Sequence, residues 1–91
     1  MSSLDKVFTV IETVVAHQGS GLNFAAVVAE TGLPKSTVHR ILKYLTGVGY
    51  LSFGPDTKMY HGTLKLVGLG AEVMANFDLR KHIHPQLLKL H

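Results

Sequence analysis

The 91-residue chain has no cysteine, no tryptophan and only six acidic residues. Without cysteine there can be no disulfide, no thiol nucleophile and no cysteine–zinc site. Its apolar runs are short and broken by charge, so none is long enough to span a bilayer, and no secretory leader is recognisable. The expected location is the cytoplasm, with no membrane partner. The acids (Asp5, Glu12, Glu30, Asp56, Glu72 and Asp78) are dispersed. No histidine–carboxylate arrangement lies near Ser36 or Thr37, and no glycine-rich phosphate loop follows a strand. No enzymatic activity and no cofactor are therefore expected.

The most telling scarcity is local. From Thr31 to Pro55 there is no acidic residue, while Lys35, Arg40 and Lys43 fall within that window. The overall balance is only mildly basic, with a net charge of +3. A patch of one sign nevertheless suits phosphate, anionic lipid or an acidic protein surface, where a merely solubilising face would need no such segregation.

The length implies one small domain. Ser2 or Ser3 can cap a first helix carrying Leu4, Val7, Phe8, Ile11, Val14 and Val15 as an apolar stripe. "HQGSG" ends it. Asn23 is placed to cap a short second helix, about Phe24 to Thr31, which Gly32 closes in a left-handed conformation. Leu33 is expected to be buried in the turn. Pro34 opens a third helix running to about Thr46, where its missing N–H costs nothing. Val38, Ile41, Leu42 and Leu45 form its inward stripe. Lys35, Ser36, Thr37, His39, Arg40 and Lys43 occupy the other side.

"YLSF" (50–53) and "MYH" (59–61) read as two short strands around the turn formers "GPDTK". A helical period resumes through Leu66, Gly70, Val73, Met74 and Phe77. Asp78 can cap a last segment with Ile83, Leu87 and Leu90, kinked or restarted at Pro85. The pattern stops unfinished at "LLKLH", an ending expected of a piece whose C-terminal continuation is absent. Met74, Phe77, Ile83 and Leu87 are too many for one small core, so part of this region is expected to serve a dimer interface.

Two helices joined by "GLP" have helix-turn-helix spacing, in which the second helix is anchored by its inward stripe and enters the major groove. Ser36 and Thr37 sit at a helix N-terminus that favours phosphate. Arg40 lies one turn further along and can pair bidentately with guanine. Lys35 and Lys43 flank it as phosphate contacts, and His39 borders the face. Tyr44 is expected to pack more than to contact a base. The hairpin that follows fits a wing, with Lys58 near a minor groove or backbone. The fold class is therefore mostly α with a small β-hairpin: a winged helix-turn-helix, 1–63, followed by a helical linker or dimerisation segment, 64–91. A structural alternative for Arg40 is an ion pair with Glu30 or Glu12.

"GLPKSTVHRILKYLTGVGYL", the preceding "AAVVAETG", and "LGAEVMANFDLRKHIHPQLLKL" resemble the N-terminal region of the IclR (isocitrate lyase regulator) family of bacterial transcription regulators. The resemblance implies a sequence-specific reader of double-stranded DNA, binding an inverted-repeat operator as a homodimer that can assemble into a tetramer. It also implies a C-terminal domain, absent from this chain, through which a small-molecule effector would act. Lys35, Ser36, Thr37 and Arg40 match the family's recognition-helix residues, and Lys58 its wing. The chain departs from the family at Val28, where alanine is usual, and after Tyr60, where His61, Gly62 and Thr63 replace the usual wing closure. A winged helix that only binds protein or dimerises is the rival, and the acid-free window argues against it. Six histidines invite a metal site, but His82 and His84 lie about 200° apart on a helix. His17, His39 and His61 lack ligand spacing, so no metal is expected.

Overall fold

The N-terminal serine closes a reciprocal cap. The Ser2 hydroxyl accepts from the Asp5 N–H while the Asp5 carboxylate accepts from the Ser2 N–H and hydroxyl. Those Ser2 donors, the backbone N–H foremost, hold the Asp5 carboxyl below the usual aspartate value. The cap starts α1 (Ser3–Ala16), the first element in a computed structural model that describes residues 2–75. α2 (Phe24–Thr31) and α3 (Lys35–Gly47) follow, then strands β1 (Leu51–Phe53) and β2 (Tyr60–Gly62), and α4 (Leu64–Ala75). Phe77, Asp78, Ile83, Pro85, Leu87 and Leu90, to which the sequence assigns roles, lie outside the described residues, as do His82 and His84.

The Asn23 side chain accepts from the Ala26 N–H at 2.8 Å, and Gly32 ends α2 at φ 71° with its N–H bonded to the Val28 carbonyl. Pro34 stands one place earlier than a first helical residue, as the cap of α3. Leu33 is only partly buried, against the core.

The core contains Val10, Val14, Leu22, Val27, Val38, Ile41, Leu42, Leu45 and Leu51. All four stripe residues expected of α3 are in it. On α1 the stripe is corrected. Val10 and Val14 are buried with Val7 and Ile11 partly so, while Leu4, Phe8 and Val15 are exposed. Positions 4, 8 and 15 share one side of a 3.6-residue helix and 7, 10 and 14 another, so α1 carries two apolar stripes and the fold uses one.

The hairpin is antiparallel, with Leu51 opposite Gly62 and Phe53 opposite Tyr60. The second strand therefore begins one residue later than the expected Met59. At its turn end β2 also pairs with the α1–α2 turn: the Tyr60 N–H donates to the Leu22 carbonyl at 2.7 Å, and the Leu22 N–H to the Tyr60 carbonyl at 3.2 Å. Gly21 makes that approach possible. It has φ 77°, and a β-carbon there would meet the His61 ring at 2.6 Å. Gly21→Ala is expected to lower stability by about 1–2 kcal/mol from the left-handed backbone alone. A urea melt followed by circular dichroism reads that loss.

α4 differs from the rest. None of its residues is buried; Leu64 is 83 % exposed, and Val67, Val73 and Met74 are each more than half exposed. Leu66, expected on its inward face, is half-buried, whereas Gly70, Val73 and Met74 are exposed.

Candidate nucleic-acid interface

α3 is seated by Val38, Ile41, Leu42 and Leu45, and that seating decides what its other side shows. Lys35, Ser36, His39, Arg40 and Lys43 are exposed, and Thr37 is half-buried. Ser36, Arg40 and Lys43 fall within about 60° of one another around a 3.6-residue helix, a compact outward strip. No side chain caps the start of α3. Its first N–H groups therefore stay open to an oxygen ligand, and the positive end of the helix dipole favours an anion there.

The ion pair offered as an alternative for Arg40 does not form. Glu30 accepts from His17 Nε2 at 3.1 Å, and Arg40 makes no hydrogen bond or ion pair among the described residues. The guanidinium keeps its full donor set for a ligand.

Two grooves border the strip. On one side Thr37, Arg40 and Tyr44 line a depression with Ser3 and Lys6 at the start of α1. Tyr44, expected to pack, is 62 % exposed and forms part of this wall. On the other side His39 shares a groove with Asn23, Phe24 and Ala25 of α2 and with Phe53, Lys58 and Tyr60 of the hairpin. His39 meets the Phe24 ring edge-on, with centroids 6.4 Å apart. The fold thus brings Lys58, far from α3 in sequence, to the same side of the molecule as His39. Lys58 Nζ lies 5.9 Å from the centre of the Phe53 ring, which packs on Tyr60 at 4.7 Å. Burial pushes the Tyr60 phenol above its ordinary value.

Lys6, Phe24 and Phe53 are additions that the sequence alone did not single out. Lys6 left one signal. A cation near a helix N-terminus opposes the dipole, so its presence there calls for another use. No group of three or more potential metal ligands occurs among the described residues, nor does any helix there have the length and apolarity to cross a membrane.

Three helices, a "GLP" turn between the last two, and a hairpin whose second strand is tied to the body define a winged helix-turn-helix. The IclR helix-turn-helix domain matches residues 3–55. The chain belongs to that family and is a DNA-binding module of transcription regulation. It is similar to the HTH-type transcriptional regulator KdgR of Dickeya chrysanthemi, with 30% identity over 99% of this chain and 29% of that protein. KdgR of Escherichia coli K12 is also 30% identical, over 99% of this chain and 34% of its own length. Among solved structures, an IclR family transcriptional regulator from Brucella abortus superposes with a TM-score of 0.73 at 25% identity, over 88% of this chain and 30% of that one. The chain spans about a third of the length of these relatives. All are transcription regulators, so a winged helix confined to protein contacts is not favoured.

Proposed function

We propose that this chain reads double-stranded DNA with α3 in the major groove and the β1–β2 hairpin as a wing. The observation that carries the reading is the outer strip of α3: an uncapped N-terminus, then hydroxyls, then an arginine without an internal partner among the described residues. Ser36, Thr37 and the open N–H groups hold a phosphate, and Arg40 reaches a guanine edge. Lys35, Lys43 and Lys58 contact backbone, and His39 lies between helix and wing. Lys6 extends the basic surface on the α1 side.

The homodimer is supported by the apolar side chains that the fold leaves uncovered, those of α4 together with Leu4, Phe8 and Val15 of α1. On this reading residues 1–63 bind DNA, and 64–91 link and dimerise. A small-molecule effector acts through a domain outside this chain, and the regulator works in the cytoplasm, where its operator lies. A two-fold dimer requires an inverted repeat with half-sites about 10 bp apart or a multiple of that.

Selection from a random duplex pool, followed by titration at several salt concentrations, tests the proposal. Enrichment of an inverted repeat is the expected result, and absence of binding at low salt would sink it. Lys43→Ala is expected to weaken all sequences alike and to reduce the salt slope by about one.

A further inference from the structure

α4 buries none of its side chains among the described residues, yet its first turn and the two residues leading into it are tied to the segment after α3 and to the residue after the α1 cap. Between β2 and α4 stands a single residue, Thr63. Its hydroxyl donates to the Gly49 carbonyl at 2.6 Å and the Tyr50 carbonyl at 3.2 Å, just beyond the end of α3. Lys65 Nζ donates to the Val48 carbonyl at 2.6 Å and lies 4.5 Å from the centre of the Tyr50 ring. From the end of α1 comes Gln18, which follows its cap. Its amide donates to the Gly62 carbonyl at 2.9 Å and accepts from the Gly62 N–H at 2.8 Å. A β-carbon at Gly62 would lie 3.2 Å from Gln18, Leu66 and Val15 alike, so the backbone has little room there.

Helices are ordinarily oriented by packing along their length. This one is oriented at its root, by directional hydrogen bonds, and its apolar side is uncommitted. We infer that Gln18, Thr63 and Lys65 are positioning residues that fix the angle between α4 and the recognition helix, and thereby set the spacing and phase of the two half-sites a dimer can read. The inference rests on the proposed dimeric DNA reading. A 12-residue helix is about 18 Å long. A swing of roughly 20° at its root displaces its far end by about 6 Å, close to two base-pair steps.

The test uses Gln18→Ala with Thr63→Val, neither of which changes charge, and Lys65→Met as a second variant. Each is titrated against a duplex with one half-site and against two-half-site duplexes at the selected spacing and lengthened by two base pairs. Intact chains carrying Ala29→Cys and Ala71→Cys are spin-labelled, diluted with unlabelled chain and measured for their 29–71 distance distribution. The absence of native cysteine makes the labelling specific. The expected result is a one-half-site affinity within about twofold of the parent, a spacing preference reduced about tenfold or more, and a broadened distance distribution. A parental spacing preference with a distribution as narrow as the parent's would overturn the inference. So would collapse of one-half-site binding together with thermal stability, which would make the bonds a requirement of the fold and no more. If the parent bound no duplex, the DNA reading would fail by itself. The distance distribution would still decide whether these bonds hold α4.

Discussion

Leu42→Ala is expected to remove about 2–5 kcal/mol of folding stability, a larger loss than Gly21→Ala or any change on the exposed side of α3 should cause. Leu42 is 1% exposed and sits on α3 among Val10, Val14, Val27 and Leu45. Deleting its isobutyl group forfeits the transfer energy of the buried carbons and leaves a void that three helices can only partly close. Small domains have about 5–15 kcal/mol in total, so this one change consumes a large share of the margin. Urea denaturation followed by circular dichroism at 222 nm should show a lower midpoint with an unchanged slope. DNA affinity should fall in proportion to the unfolded fraction, since Leu42 lies opposite the reading strip and touches no nucleic acid on the proposed geometry. A loss below about 1 kcal/mol would mean that α3 is not anchored by this stripe.

Arg40→Ala is the complementary case. It should leave the urea midpoint nearly unmoved, within about 0.5 kcal/mol, because the side chain is exposed and has no partner among the described residues. Binding to the selected operator should weaken by about 1–3 kcal/mol, and preference should relax at one base pair per half-site. Competition titrations against single-position operator variants separate these effects. A uniform loss over all sequences would make Arg40 a phosphate contact and would move base reading to its neighbours. No change in either affinity or preference would place the reading strip elsewhere on α3.

What could be read from the sequence was mostly local chemistry. Asn23, Gly32 and Pro34 mark the ends of α2 and the start of α3 because a capping amide, a left-handed residue and a donor-free residue each suit few other backbone positions. Val38, Ile41, Leu42 and Leu45 announce one face because no second apolar stripe competes with theirs. On α1 a second stripe does compete, and periodicity cannot say which of Val10 and Phe8 faces inward. Only the neighbouring helices decide that. The pairing of Leu22 with Tyr60 joins residues 38 positions apart, and nothing at either position alone signals it.

The candidate site divides in the same way. The composition of the α3 strip was visible from its spacing, as was Tyr44 one turn beyond Arg40, whereas Lys6 beside Arg40, or Phe24 and Phe53 beside His39, come together only through tertiary packing. The amphipathic period of α4 was visible too. So was a surplus of apolar residues for one small core, but not that every side chain of α4 except the half-buried Leu66 would be exposed, because periodicity shows that a helix has an apolar face without saying what covers it.

Lys58 carries a consequence for anyone seeking to stabilise this domain. It is the one described residue other than glycine with a positive φ, 63°, and that conformation costs a side-chain-bearing residue about 1–2 kcal/mol. Glycine would relieve the left-handed strain, so a redesign guided by thermostability alone would choose Lys58→Gly. The same change would take away the wing's cation. On the proposed reading, in which Lys58 contacts the DNA backbone, a thermostability screen and an operator-binding screen would select opposite residues at this position, and only a search scored on both would keep the lysine.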